Sequence, residues 1–241
     1  DDVGYASAAD AGLDGGSITP TGESVGTRQG FSIIKFTAQS SGNATVSHGL
    51  GKKPAFWIYK PIDNGTNWYM YHQSLGASAW LNFTTAAATT GNAAAWGGVE
   101  PTSTVLTHGS GLVNQGACIL YAWCDVPGMQ KFGKYTGNND ADGPFIELGF
   151  RPAIILIKST ASGKNWFIYD TERDSYNVAK NYLIPDDAGA EASFDTLDIL
   201  SNGFKLRTSD GSFNVSGSEH IYAAWAEAPT FNLFGGQSNA R

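Results

Sequence analysis

Residues 48–72 read HGLGKKPAFWIYKPIDNGTNWYMYH, and residues 146–170 read IELGFRPAIILIKSTASGKNWFIYD. At a constant offset of 98, without a gap, nine of the twenty-five positions are identical. Leu50, Gly51, Pro54, Ala55 and Lys60 fall on Leu148, Gly149, Pro152, Ala153 and Lys158; Gly65, Asn67, Trp68 and Tyr71 fall on Gly163, Asn165, Trp166 and Tyr169. A proline and a tryptophan among the identities make coincidence a poor explanation. A second block agrees at offset 102, where ILYAWCDVP (119–127) lies over IYAAWAEAP (221–229). Self-similarity at a fixed spacing is the signature of repeated structural units, so the chain reads as a tandem duplication of a unit of about 100 residues.

Within each unit the apolar segments are short, rich in β-branched and aromatic residues, and separated by turn chemistry such as Asp63-Asn64-Gly65 and Ser201-Asn202-Gly203. The firmest strands are PAFWIYK, NWYMYH, STVLTH, ACILYAWC, PAIILIK, NWFIYD, GFKLRT and HIYAAWAE. No window of a dozen residues carries a helical period; the best helical candidate is SYNVAKNYL (175–183), one or two turns at most. The expected architecture is all-β: two tandem antiparallel β-sandwich domains, lectin- or jelly-roll-like, related by internal duplication. The expected boundaries are a Gly/Ser/Asp-rich arm or linker over 1–29, repeat 1 over 30–128, repeat 2 over 129–229 and a tail over 230–241. Residues 5–10 (YASAAD) resemble the closing strand of a unit, which leaves open that the chain starts with the end of an earlier repeat.

Charge narrows the function classes. The net charge is −7 and charged residues make up 15 % of the chain, so no basic footprint for nucleic acid or an anionic membrane is present. No apolar run reaches the roughly 20 residues of a membrane span. Residues 30–128 hold four Lys and three acids, whereas residues 129–229 hold nine bases and fourteen acids. Charge depletion marks interface cores, so repeat 1 is expected to pack among other subunits; a neutral Ser/Thr/Asn surface facing solvent is the alternative. Cys118 and Cys124, six apart in an apolar run, would lie about 20 Å apart along a strand, too far for a disulfide.

Three groups of residues are candidates for chemistry. The Asn-Trp-X-X-Tyr motif recurs as Trp68 and Tyr71 and as Trp166 and Tyr169. Sugar-binding surfaces use such rings, because an apolar ring face stacks on a pyranose while polar neighbours bond its hydroxyls. Trp80, Trp96, Tyr176 and Tyr182 join them as ligand-binding candidates. Strand alternation nevertheless sends one face of each motif inward, so core packing competes with ligand contact. Asn138, Asp140 and Asp142, followed by Gly143, open like a calcium loop; position 12 is Gly149, so the motif then fails and an Asx-rich turn competes. Calcium is the one cofactor this allows. His48, His72, His108 and His220 stand in no catalytic motif, and His48 and His108 neighbour glycines, as turn residues do. Asp170, Glu172 and Asp174 cluster, but their alternation with Arg173 reads as a self-paired segment rather than a glycosidase pair. The chain is not expected to be an enzyme.

GFSIIKFTA, HGLGKKPAFWIYK, NWYMYH and AWGGVEPTSTVLTHG, then KYTGNNDADGPFIELGFRPAIILIKS, NWFIYDTERD, DILSNGFKLRTSDGSFNVSG and IYAAWAEAP, resemble a repeat-containing β domain of tailed-phage virion proteins. That family is frequent in phages of aquatic bacteria, including cyanophages, and is labelled tail fibre or virion structural protein. The resemblance covers about residues 17–229. FTAQSSGNA stands where the family favours YTGNG, and Lys52-Lys53 where one basic residue or none is common; both departures lie in loops. The resemblance implies a protein of the virion surface, partnered by other virion subunits in a homo-oligomer, a trimer by preference. A tail-fibre or spike module would bind a host surface glycan without catalysis. The alternative is a capsid decoration, head-fibre or other structural protein acting through subunit interfaces. No catalytic residue is carried over.

Overall fold

The computed structural model describes residues 7–83, 91–161 and 163–228. Among these no α-helix occurs, and sixteen strands form antiparallel sheets. The chain divides into two compact units, changing over between Cys124 and Asp125.

The first unit contains β1 (Gly22–Gly26), β2 (Phe31–Thr37), β3 (Ala44–Ser47), β4 (Phe56–Pro61), β5 (Tyr69–His72), β6 (Leu81–Asn82), β7 (Val105–His108) and β8 (Ala117–Trp123). Its larger sheet runs β1-β2-β8-β4-β5-β6, and β3 pairs with β7. The second unit contains β9 (Gln130–Thr136), β10 (Phe145–Glu147), β11 (Pro152–Ser159), β12 (Trp166–Asp170), β13 (Ala179–Tyr182), β14 (Ala192–Leu200), β15 (Gly203–Leu206) and β16 (Glu219–Ala226). Its two sheets run β12-β11-β16-β9 and β10-β15-β14-β13. The rings and branched side chains that alternate along these strands suit a pleated, half-buried surface, which is why the segments form sheet rather than helix.

The two units share strand order and register. β2-β8-β4-β5 corresponds to β9-β16-β11-β12. Trp57 faces Tyr71 and Ala122, as Ile155 faces Tyr169 and Ala224; Lys60 faces Ile119, as Lys158 faces Ile221. These are the offsets of 98 and 102 found in the sequence. The shared residues have shared tasks. Gly51 and Gly149 adopt φ of +68° and +82°, and a Cβ added at either would meet nothing, so the left-handed backbone alone explains the glycine. Lys60 donates to the carbonyls of Asn64 and Thr66, and Lys158 donates to the carbonyl of Lys164, the counterpart of Thr66. The repeated lysine therefore closes the loop of its own hairpin. Lys158 is fully buried, and burial pulls its pKa down to about 8.

The core of the second unit is one cluster drawn from both of its sheets. Tyr135, Ile155, Ile157, Tyr169, Tyr222 and Ala224 come from one, and Ile146, Leu197, Ile199, Phe204 and Leu206 from the other, which makes it a sandwich. In the first unit Trp57 stacks on Tyr71 at 3.7 Å between centroids, and Trp96 meets Trp57 edge-on at 5.0 Å. A fully buried ring of this size contributes about 1.5–3 kcal/mol.

Two expectations are corrected. Residues 1–29 were expected to be an arm or linker, but 13–26 are built into the first unit. Leu13 is fully buried, Ile18 bridges to Val46, and β1 completes the edge of the sheet against β2. An edge strand pairs through its backbone and needs few apolar side chains, so composition concealed it. Residues 175–183 are not helical. The Asp174 carboxylate accepts the backbone N–H groups of Lys180 and Asn181, and the chain continues directly into β13.

Candidate functional site

The eight candidate aromatic residues separate by burial. Tyr71, Trp96, Trp166 and Tyr169 are closed off from solvent and act in packing. Tyr182 is partly buried and packs on the core of the second unit, against Phe167 and Tyr169. Trp68 and Trp80 are half-buried, and the Trp80 ring lies 4.9 Å from that of Tyr69. Tyr176 stands apart: it is 87 % exposed.

Tyr176 borders a trough of about 450 Å³ in the second unit, formed by the 173–178 loop, Lys180 and Asp195. The loop is held by its neighbours on both sides of the tyrosine. Asp170 accepts the backbone N–H groups of Glu172 and Arg173 and pairs with the Arg173 guanidinium, which also donates to Glu191 at 2.7 Å. Asp174 accepts from the Lys180 and Asn181 backbones and from the Asn181 amide. Asn177 imitates a peptide group: its Nδ2 donates to the Ile199 carbonyl at 3.0 Å, and its Oδ1 accepts the Ile199 N–H at 2.8 Å. Asp170, Asp174 and Asn177 thus spend their polar atoms on the scaffold, while the Tyr176 ring is displayed outward. A loop held in this way needs little further ordering when its ring stacks on a ligand.

The opposite wall is a β-bulge. Ala179 pairs with Leu197 and Asn181 with Ser193, so Lys180 alone lies opposite Phe194, Asp195 and Thr196. Bulges re-aim side chains and recur beside binding sites. Here the bulge leaves Phe194 exposed and puts Asp195 in the trough. The buried Tyr169 hydroxyl donates to Thr196 Oγ1 at 2.8 Å, and Thr196 Oγ1 donates to the Phe194 carbonyl at 2.7 Å. Burial raises the Tyr169 pKa, which keeps its hydroxyl a donor. A repeated core residue therefore supports the wall of the trough from beneath. The side chains of Lys180 and Asp195 make no hydrogen bond or ion pair among the described residues.

The first unit uses its equivalent tyrosine differently. Tyr71 donates to Glu100 at 2.8 Å, and Glu100 also binds Lys53 and the Ala77 N–H. These contacts hold the Glu100 carboxyl below its ordinary range despite partial burial. The side chain there latches a loop instead of supporting a trough.

Asn138, Asp140 and Asp142 come together, but as a turn. Asn138 Oδ1 accepts from the Asp140 N–H and from the buried Asn214 amide, and Asp140 Oδ1 accepts from the Asp142 N–H. Asp142 pairs with Lys205 at 3.0 Å and Arg207 at 3.6 Å, which hold its carboxyl below the usual range. One side-chain oxygen of each of the three is engaged by amides or cations of the protein. Among the described residues no group of three or more His, Cys, Asp or Glu side chains is placed to hold a metal ion. His48 and His108, expected in turns, are buried, as is His220. His48 accepts the Leu50 N–H on Nδ1 and lies 3.3 Å from the Thr102 carbonyl.

The trough was only partly legible in the sequence. Tyr176 was singled out, but Lys180 and Asp195 were not, because the bulge that places them has no periodic signal. A family model matches residues 5–229, which takes in both repeated blocks. The chain belongs to this family, described as a domain of unknown function (DUF7483). No curated protein and no solved structure matches the chain.

Proposed function

We propose that the chain is a non-catalytic receptor-binding module of a phage virion, a tail-fibre or spike component that recognises a host surface glycan. The observation that carries this reading is Tyr176, almost fully exposed beside an open trough, on a loop whose neighbouring residues are tied down by the hydrogen bonds of Asp170, Asp174 and Asn177. An aromatic ring beside unpaired polar groups is the equipment of saccharide recognition. Catalysis of glycoside hydrolysis uses two carboxylates across the bond; in the trough Asp174 is committed to backbone amides and Asp195 alone remains. Weak single sites suffice when an oligomer presents several of them, since avidity multiplies their effect.

A second reading, a capsid decoration or other structural virion protein, is favoured by the sparse charge of the first unit and by exposed Ile62 and Val99 upon it. Immunogold electron microscopy of intact virions, with antibody raised against this chain, separates the two. Label at the tail tip is expected; label spread over the capsid would replace the first reading with the second.

A further inference from the structure

We infer that the trough takes one or two rings of an uncharged, hydroxyl-rich saccharide, without a metal ion. The inference rests on the receptor-binding reading and gives that site its ligand class. The volume of about 450 Å³ lies within the range of about 300–1,000 Å³ typical of small-molecule sites. Its open form admits a residue of a polymer from the side. Tyr176 offers a free ring face for the apolar side of a pyranose. Lys180 supplies only donors and Asp195 only acceptors; neighbouring sugar hydroxyls, each donor and acceptor at once, satisfy both.

Charge decides between classes of glycan. The Arg173 guanidinium charge is more than balanced by Asp170 and Glu191, which weakens its pull on a phosphate or carboxylate of a ligand. Of the remaining lining charges, Asp174 and Asp195 outnumber Lys180, and an anionic saccharide meets net repulsion. A cationic ligand gains little, because the Asp174 oxygens are occupied by the amides of Lys180 and Asn181. Asp195 alone is far short of the six to eight oxygen ligands that calcium takes.

The experiment uses the full chain tetramerised on streptavidin and an array of purified bacterial polysaccharides. Half carry neutral hexose or N-acetylhexosamine repeats and half carry uronic acid or phosphate groups, read with EDTA and at low and high salt. Binding to neutral glycans is expected, unchanged by EDTA and altered less than about two-fold by salt, since no ion pair is involved. Tyr176→Ala is expected to lower it about ten-fold, the equivalent of one stacking contact, and Asp195→Asn to lower it several-fold. Tyr176 is nearly fully exposed, so its removal leaves the core intact, and Tyr176→Phe should retain most binding. Preference for acidic glycans, steep salt dependence or loss in EDTA, with binding still sensitive to Tyr176→Ala, would overturn the ligand class while leaving receptor binding in place. Neutral-glycan binding indifferent to both substitutions would overturn the site. No binding to any glycan would count against the receptor reading itself.

Discussion

Lowering the pH from 7.5 to 5 should destabilise the protein by about 4 kcal/mol through two histidines alone. His48 and His108 are buried, and burial depresses both imidazoles to about 4. Their geometry gives the same sign. Protonating His48 at Nδ1 would break the bond it accepts from the Leu50 N–H, and a proton on the second ring nitrogen of His108 would find no acceptor among the described residues. The unfolded chain takes up protons near pH 6.5 while the folded chain does not, so stability is intact above about 6.5 and falls as the pH drops towards about 4. At pH 5 each histidine costs about 2 kcal/mol, at about 1.4 kcal/mol per unit of displacement. His220 acts in the same direction, and Asp186, whose carboxyl is raised by burial, opposes it weakly. Glu100 and Asp142 are held low and add their losses only at more acid pH. Urea unfolding followed by tryptophan fluorescence at the two pH values measures the difference, and His108→Gln should remove about half of it. Equal midpoints and slopes at pH 7.5 and 5 would refute the reasoning, because the histidines would then titrate alike in both states.

Gly149→Ala should cost about 1–2 kcal/mol, the penalty of a left-handed backbone for an L residue, and Gly51→Ala a similar amount, since neither added methyl meets an obstacle; thermal or urea unfolding reads both. Lys158→Ala should cost about 1–3 kcal/mol by leaving the Lys164 carbonyl without its buried donor, and more than Lys60→Ala, whose site is partly open to water. Tyr169→Phe should cost about 0.5–1.5 kcal/mol and, by freeing Thr196, should speed amide hydrogen exchange in the bulge before it affects the strands around it.

Much of the fold was legible because the repeated residues serve backbone requirements that sequence records directly. Gly51 and Gly149 mark a left-handed turn, Pro54 and Pro152 precede or open a strand, and Lys60 and Lys158 close a hairpin. Alternating rings then fix register, since a one-residue slip would turn Tyr71 or Tyr169 out of the core. β1 was missed because an edge strand is held by backbone pairing. The best helical candidate, 175–183, failed for a related reason: Asp174 and Asn177 hold backbone groups with their side chains, and such captures leave no periodic trace. The candidate site followed the same division. Repetition drew attention to Trp68, Tyr71, Trp166 and Tyr169, yet residues repeated for folding tend to be packed inside, as three of these four are. The trough belongs to a segment where the two units differ, so comparison of the repeats could not point to it.

The most direct measurement is competition for adsorption. Cells of the host are preincubated with the tetramerised chain, and the fraction of phage remaining unadsorbed is counted by plaques. If this chain reads the receptor through Tyr176, the wild-type protein should raise the unadsorbed fraction in a dose-dependent way, while equally folded Tyr176→Ala protein should have little effect. Blocking by both proteins alike would contradict the site, and blocking by neither would contradict receptor binding.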